Sequence, residues 1–259
     1  MKHWHNWLLW TWLHLSLAFA ADTRAAADVG PLEWPTVTRD CRPWSYWWWL
    51  GSAVDTNNLS KELQRYAAAG WGGVHIIPIY GAKGWEEKSI EYLSPQWMAL
   101  LRYTIDEARR LGLGVDMTLG SGWCFGGPTV TDRDANASVV VQTVDVPSGS
   151  SLSETFDPTN TQALVAFSPG GKSVELTDEI QRDGTVDSEA EGDGGRVYAV
   201  SQKPSGRKVK RAAPGGEGHM LNLIYPTAVR HYLARFTQAF AGFEGPRPRA
   251  LYHDSYEYA

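Results

Sequence analysis

The stretch "WSYWWWLG" (residues 44–51) decides how this chain is read. Ser45 is its one aliphatic polar residue, and a near-continuous apolar run of this length predicts a strand covered on both faces, as in parallel sheets. The next segment, "NLSKELQRYAAAG" (58–70), places Leu59, Leu63 and Tyr66 at helical spacing, with Asn58 as N-cap and Gly70 as stop. "GVHIIPIYG" (73–81) is a second β-branched run. Ser94 and Pro95 open the longest helix, with Trp97, Leu101, Ile105 and Ala108 on one face and Gly112 at its end. "GVDMTLG" (114–120) gives a third strand. Strands alternating with helices predict βαβ units and a parallel sheet.

From residue 136 to 208 this rhythm gives way to short alternating runs such as "SVVVQTVDV", "QALVAFS" and "RVYAVSQ". These predict a small antiparallel insertion, and its acidic stretch "DSEAEGDGG" reads as a solvated tip, because EF-hand spacing is absent. Pro226 then opens a helix with Val229, Leu233, Phe236 and Phe240 on one face, and "RALYHDS" (249–255) supplies a fourth strand. The expected fold is therefore α/β: the first half of a (β/α)8 TIM-type barrel with an antiparallel insertion after strand three. The expected boundaries are a signal peptide at 1–20, a leader at 21–43 and barrel strands one to three at 44–135. The β-rich insertion then occupies 136–208, and the last helix and fourth strand 209–259.

Composition narrows the function. A formal net charge of −5 offers no basic footprint, which argues against nucleic acid or an anionic membrane as partner. Of 13 tryptophans, four lie in the first 12 residues and nine between Trp34 and Trp123. Such a half suits a wall for stacking ligand faces, although each ring could equally be core filler. Lys2, the apolar stretch from 8 to 20 and small Ala18 and Ala20 form the pattern of a secretory signal, which predicts a secreted or periplasmic protein. An apolar stretch this short, broken by His14, does not span a bilayer, so no membrane insertion is expected after cleavage. The two cysteines, Cys41 and Cys124, fall at opposite ends of the expected sheet, about 20 Å apart. A disulfide needs Cα atoms within about 7 Å, so both are expected to be free.

In parallel barrels the active site lies on the loops that follow the strands. Here those loops bring Trp47–Trp49, then His75, Tyr80, Lys83 and Trp85, then the Gly-rich "GSGWCFGG" with Trp123 and Phe125, and finally Asp254 and Glu257. The Gly-rich loop lacks either phosphate-binding pattern and carries bulky rings where phosphate oxygens would approach. Sugar stacking fits it better. Cys124 as a nucleophile has no assignable partner, and His75, mid-strand, can equally be a satisfied interior histidine. No zinc spacing is present. Glu257, among Tyr252, Tyr256 and Tyr258, has the surroundings that raise a carboxyl pKa toward a general acid's value. It can equally be an acidic residue opening a helix.

Four segments carry a resemblance to a known family: the stretch from "RPWSYWWWLG" to "PIYGAKG", the stretch from "YLSPQWMALL" to "GSGWCFGGP", "VKRAAPGGEGHMLN" and "LYHDSYEY". Together they resemble glycoside hydrolase family 106, the α-L-rhamnosidases, over residues 42–259. The resemblance implies a (β/α)8 catalytic domain followed by β-sandwich domains. It implies inverting hydrolysis of terminal α-L-rhamnosyl bonds in plant or microbial glycans. It also implies Glu257 as the general acid and a base on a later strand, so that these residues are the front part of a longer enzyme, inactive alone. Asp254, Trp123, Tyr80, Trp49 and His75 are the expected substrate contacts, with Glu217 in "PGGEG" on an adaptable loop beside them. A Ca2+ ion belongs to the resemblance, with no ligands assignable here; the sequence itself requires no cofactor. The alternatives are a secreted carbohydrate-binding protein without catalysis, and a retaining barrel glycosidase.

Overall fold

The computed structural model describes residues 34–186 and 194–255. The expected signal peptide, most of the acidic stretch and Glu257 lie outside them. The chain divides into two compact units, Met1–Val37 and Thr38–Ala259, and all helices and strands of the described residues belong to the second.

The elements run β1 (Trp44–Leu50), α1 (Thr56–Ala68), β2 (Gly73–Ile79), α2 (Pro95–Arg110) and β3 (Gly114–Thr118). Then come β4 (Gly126–Gly127), β5 (Ala137–Val146), β6 (Thr161–Phe167), β7 (Ser173–Glu175), β8 (Gly195–Pro204) and β9 (His219–Met220). The last two are α3 (Pro226–Ala239) and β10 (Leu251–Tyr252). Strands β1, β2, β3 and β10 make one sheet in that order, with every pair parallel. The residues between β3 and α3 contribute an antiparallel sheet, β5-β8-β6-β7, with its own core of Phe156, Leu164, Leu176, Val197 and Ala199. The two-residue ladder β4–β9 ties the loop after β3 to the chain that follows the insertion.

Local chemistry explains the boundaries. The cap of α1 is Asp55 rather than the expected Asn58: its Oδ1 accepts the Asn58 backbone N–H at 2.9 Å and its Oδ2 the Asn58 side-chain amide at 2.7 Å. A carboxylate also favours the helix N-terminus, so the helix starts earlier than Asn58 suggested. In α2, Ser94 caps and Trp97, Leu101, Ile105 and Ala108 are all buried, as the spacing predicted. The buried stripe of α3 is Ala228, Tyr232 and Phe236, with Val229 and Phe240 half-buried beside it. Leu233, expected on that face, is 37 % exposed. The face is rotated because Tyr232 turns inward, where its hydroxyl donates to the Leu119 carbonyl at 2.6 Å. Both cysteines are free thiols, Cys41 exposed and Cys124 buried.

β1 departs from expectation. β2 and β3 are buried almost throughout, but β1 alternates: Trp49 is 1 % exposed while Tyr46 and Trp48 are 54 % and 58 % exposed. Only one face of this edge strand is covered, so its apolar run obeys the period of two after all. The sheet is also curled. Tyr46 on β1 and Tyr252 on β10, at opposite edges, have hydroxyls 3.0 Å apart, although three strand spacings in a flat sheet amount to about 14 Å. At the other end of the strands Trp44 lies over Gly73 and Gly114, where a Cβ at either position would strike the indole. Arg249 stacks on that indole at 4.0 Å while its fork grips Asp116 at 2.7 and 3.0 Å. That end is closed by packing, which leaves the C-terminal strand ends for a site.

Candidate functional site

The alternation of β1 sorts the tryptophan triple. Trp47 meets Tyr66 of α1 edge-on at 5.8 Å, and Trp49 packs on Trp97 of α2 at 5.6 Å. Trp49 therefore belongs to the helix-covered core, which corrects its expected contact with substrate: side chains two apart share a face, and that face is filled by α1 and α2. The member of the triple on the open face is Trp48.

On that open face Tyr46, His75 and Tyr252 form a cluster. The His75 ring meets Tyr46 at 5.4 Å and Tyr252 at 4.6 Å, both edge-on. Its Nε2 is buried and has no hydrogen-bond partner among the described residues. Burial draws its pKa below the usual histidine value, with Asp116 and Asp254 opposing. His75 is thus an interior histidine, but not a satisfied one, since its Nε2 has no partner among the described residues. Tyr46 donates to the Tyr252 hydroxyl at 3.0 Å, and Tyr252 donates to Asp254 Oδ1 at 3.4 Å. The Tyr252 hydroxyl is pushed up to about 12, first by the Tyr46 hydrogen bond and then by burial and Asp254. This relay points the exposed Asp254 carboxylate beyond the end of β10.

Tyr80 and Trp123 follow β2 and β3, and a third segment joins them. The Tyr80 N–H donates to the Arg211 carbonyl at 3.0 Å, while Trp123 and Lys210 exchange backbone hydrogen bonds at 3.0 and 2.7 Å. Gly122 donates to the Pro78 carbonyl at 2.8 Å and has φ +57. A Cβ there would strike the Lys210 and Arg211 backbone, so the loop needs glycine at that point. The Arg211 guanidinium lies 5.2 Å from the Tyr80 ring and 5.6 Å from the Trp123 ring, and its Nη1 donates to the Tyr80 hydroxyl at 2.9 Å. Tyr80 and Trp123, expected in one pocket, thus share one cation.

The rest of the Gly-rich loop turns inward. Phe125 stacks on Tyr232 at 5.5 Å and meets His253 at 3.8 Å, so it is not displayed beside Trp123. Cys124 Sγ lies 4.0 Å from Ser255 Oγ, which joins this loop to the residue after Asp254. Glu217 is exposed, but its flanking glycines do not make an adaptable loop. A Cβ at Gly216 would strike Ser121, and one at Gly218 would strike the Gly127 backbone, so the segment is clamped to the loop after β3.

The outcome is one wall at the strand ends: two ring faces, a guanidinium between them, and a carboxylate on a tyrosine relay. Rings stack on the apolar faces of sugars, and Asp254 can accept from hydroxyls. Among the described residues no three His, Cys, Asp or Glu side chains converge as a metal site, and none is assigned to the Ca2+ ion that the resemblance implies. No helix of the described residues is long and apolar enough to cross a membrane. Sequence reasoning overlooked Arg211, Tyr46 and the Tyr252 hydroxyl; "VKRAAPGGEGHMLN" was the signal for the first of these.

Comparison with known proteins agrees with this fold. A solved rhamnosidase structure, from Novosphingobium sp. PP1Y, shares the fold, with TM-score 0.69 at 15 % identity over 86 % of this chain and 39 % of that one. A protein of Formosa agariphila, provisionally named a beta-glucuronidase, is 23 % identical over 142 residues, which cover 52 % of this chain and 12 % of its relative. The chain thus spans well under half the length of either. The profile of the α-L-rhamnosidase family, glycoside hydrolase family 106, matches residues 36–168, just over half of the sequence. On that match the chain belongs to the α-L-rhamnosidase family.

Proposed function

We propose that the full-length protein hydrolyses terminal α-L-rhamnosyl bonds of plant or microbial glycans with inversion, at the strand ends, with Glu257 as general acid. The observation that carries this reading is the wall itself. Tyr80, Trp123 and Asp254 follow successive parallel strands of a curled sheet, where such enzymes keep their chemistry, and Asp254 stands three residues before Glu257. The curl measured by the Tyr46–Tyr252 hydrogen bond is what the first half of a (β/α)8 barrel requires. In this reading the rings seat the sugar, Asp254 orients its hydroxyls, and Glu257 protonates the leaving oxygen. A second carboxylate about 6.5–9.5 Å from Glu257 activates water on the opposite face. No step is routed through calcium. Residues 1–20 serve for export, which places the enzyme outside the cytoplasm; mass spectrometry of the secreted chain should find its N-terminus at Ala21.

The test is Glu257→Gln in the full-length protein, which keeps the shape and removes the transferable proton. It should slow cleavage of natural rhamnosides by about 10²–10⁴-fold. A nitrophenyl rhamnoside, whose leaving group departs with little help, should slow far less, and the alkaline limb of the pH profile should flatten. Equal losses on both substrates would make Glu257 a scaffold residue. Proton NMR of the first-formed sugar should show the β anomer; an initial α anomer would exclude inversion.

A further inference from the structure

We propose that the seam between the antiparallel insertion and the turn before it is an accessory glycan-binding site, which holds sugar units remote from the rhamnosyl bond that is cleaved. The proposal rests on the rhamnosidase reading and adds a second point of contact with the same substrate. The seam contains a cavity of about 560 Å³, within the range of ligand pockets. Asp132 and Arg133 line it from the turn before β5, Asn160 and Gln202 from the insertion, and Tyr225 from the residue that precedes α3. Ala135, Ala137 and Pro204 supply its apolar part. Both sides are fixed by backbone hydrogen bonds. The Asp134 N–H closes the turn on the Thr131 carbonyl at 3.0 Å, and the Asn222 N–H ties the Tyr225 segment to the Asp134 carbonyl at 2.8 Å. On the insertion, the Gln202 N–H donates to the Asn160 carbonyl at 3.3 Å, and the Asn160 side-chain amide to Asp157 Oδ2 at 2.7 Å. Asn136 joins the two sides: its N–H donates to the Met220 carbonyl at 2.7 Å and its carbonyl accepts the Ser205 N–H at 2.8 Å. A site held in this way loses little entropy when a ligand arrives.

The chemistry of the lining names the ligand class. Among the described residues the Arg133 guanidinium, the Gln202 side-chain amide and the Tyr225 hydroxyl take no hydrogen-bond or ion-pair partner, so the protein leaves them to what enters the cavity. Arg133 and Gln202 donate, while Asp132 and the Gln202 carbonyl accept. Tyr225, 42 % exposed, offers a ring face. Opposite charges side by side at Asp132 and Arg133 leave no net charge to select an anion or a cation. A neutral ligand rich in hydroxyls, with an apolar C–H face for the ring, fits this set, and a sugar has both. The seam is also continuous with the strand-end wall. Asp132 Oδ1 lies 3.7 Å from His219 Nε2, and His219 is bridged to Lys208, two residues before the Lys210 that pairs with Trp123. A glycan whose terminal sugar lies on Trp123 can therefore follow residues 208–210 to the seam.

The experiment compares kcat/KM of the full-length protein on two rhamnose-terminated oligosaccharides cut from one plant glycan, a disaccharide and an octasaccharide. Calorimetry of octasaccharide binding accompanies it. A second contact on the same chain should favour the octasaccharide by about tenfold or more. Tyr225→Ala should bring that ratio close to one and weaken octasaccharide binding by a similar factor, with thermal melting as a check on folding. Tyr225→Phe, which keeps the ring, should retain most of the preference, and Gln202→Ala should lose part of it. Should Tyr225→Ala fail to fold, Arg133→Ala combined with Gln202→Ala carries the same test. Equal kcat/KM on the two substrates, or a preference that survives these substitutions, would overturn the seam site and leave the rhamnosidase reading standing. Cleavage of neither would overturn the rhamnosidase reading, and calorimetry then decides the seam by itself. Octasaccharide binding lost in Tyr225→Ala would support the seam; binding that is absent, or unchanged in that variant, would overturn it as well.

Discussion

Two faces of one strand carry the same kind of residue to different ends. On the helix side of β1, Trp47 meets Tyr66 and Trp49 edge-on, Trp49 packs at a tilt on Trp97, and Trp49 loses almost all contact with water. On the other side Tyr46 and Trp48 remain more than half exposed, and Tyr46 spends its hydroxyl on Tyr252 across the curl of the sheet. Composition alone cannot separate these roles. Parity along the strand can, once it is known which parity the helices cover.

The division can be attacked from the core first. Trp49→Ala should cost about 3–5 kcal/mol, because it empties the space between Trp47 and Trp97. Trp49→Phe should cost much less, since the Trp49 indole N–H is buried without a partner among the described residues and nothing polar is lost. Urea unfolding of the two variants gives the comparison directly; equal losses would mean that the ring area is not what stabilises this face.

The next test is pH, through His75 on the open face and His253 against Phe125 of the loop that turns inward. Burial holds His75 and His253 below the ordinary histidine pKa. In the unfolded chain they take up protons near pH 6.5, before the folded protein does. Stability is then complete above about pH 6.5 and falls as the pH drops through that value. Asp55, Asp145 and Asp157, held low by hydrogen bonds, lose their contributions only as the pH falls below the unfolded carboxylate value of about 3.9. The urea midpoint should therefore drop between pH 7.5 and 5.5, and less so in His75→Gln. An unchanged midpoint would mean that the pair is not held neutral.

The smallest effect is expected at Trp48. Its ring is 58 % exposed, so Trp48→Ser in the 259-residue protein should change stability by no more than about 0.5 kcal/mol. A loss near that of Trp49→Ala would show the open face to be covered in solution.

What could be read from the sequence follows the range of the interactions concerned. The parallel strands, the α2 cap at Ser94 and its buried face were legible, because each is written within a few residues. The cap of α1 was misplaced by a few residues, since Asp55 and Asn58 both suit a cap and only the backbone hydrogen bond chooses. Trp49 was misassigned because three consecutive tryptophans hide which parity faces the helices. Arg211 was missed for a different reason: it lies 131 residues from Tyr80, and only the ladder joining Lys210 to Trp123 brings the two together. Glu257 was singled out from its neighbours and the family resemblance, and it lies outside the described residues.

The division of labour between the two faces is tested most directly by Trp123→Ala and Trp49→Ala, each measured for kcat/KM on a natural rhamnoside and for thermal midpoint in the full-length protein. Removing a stacking ring from the wall should lower kcat/KM by about tenfold or more while the midpoint stays within a few degrees. Removing the core ring should lower the midpoint by several times as much. If instead Trp123→Ala leaves turnover intact and Trp49→Ala abolishes it in a protein that still melts normally, the sugar lies on the helix-covered side and the assignment of the two faces is wrong.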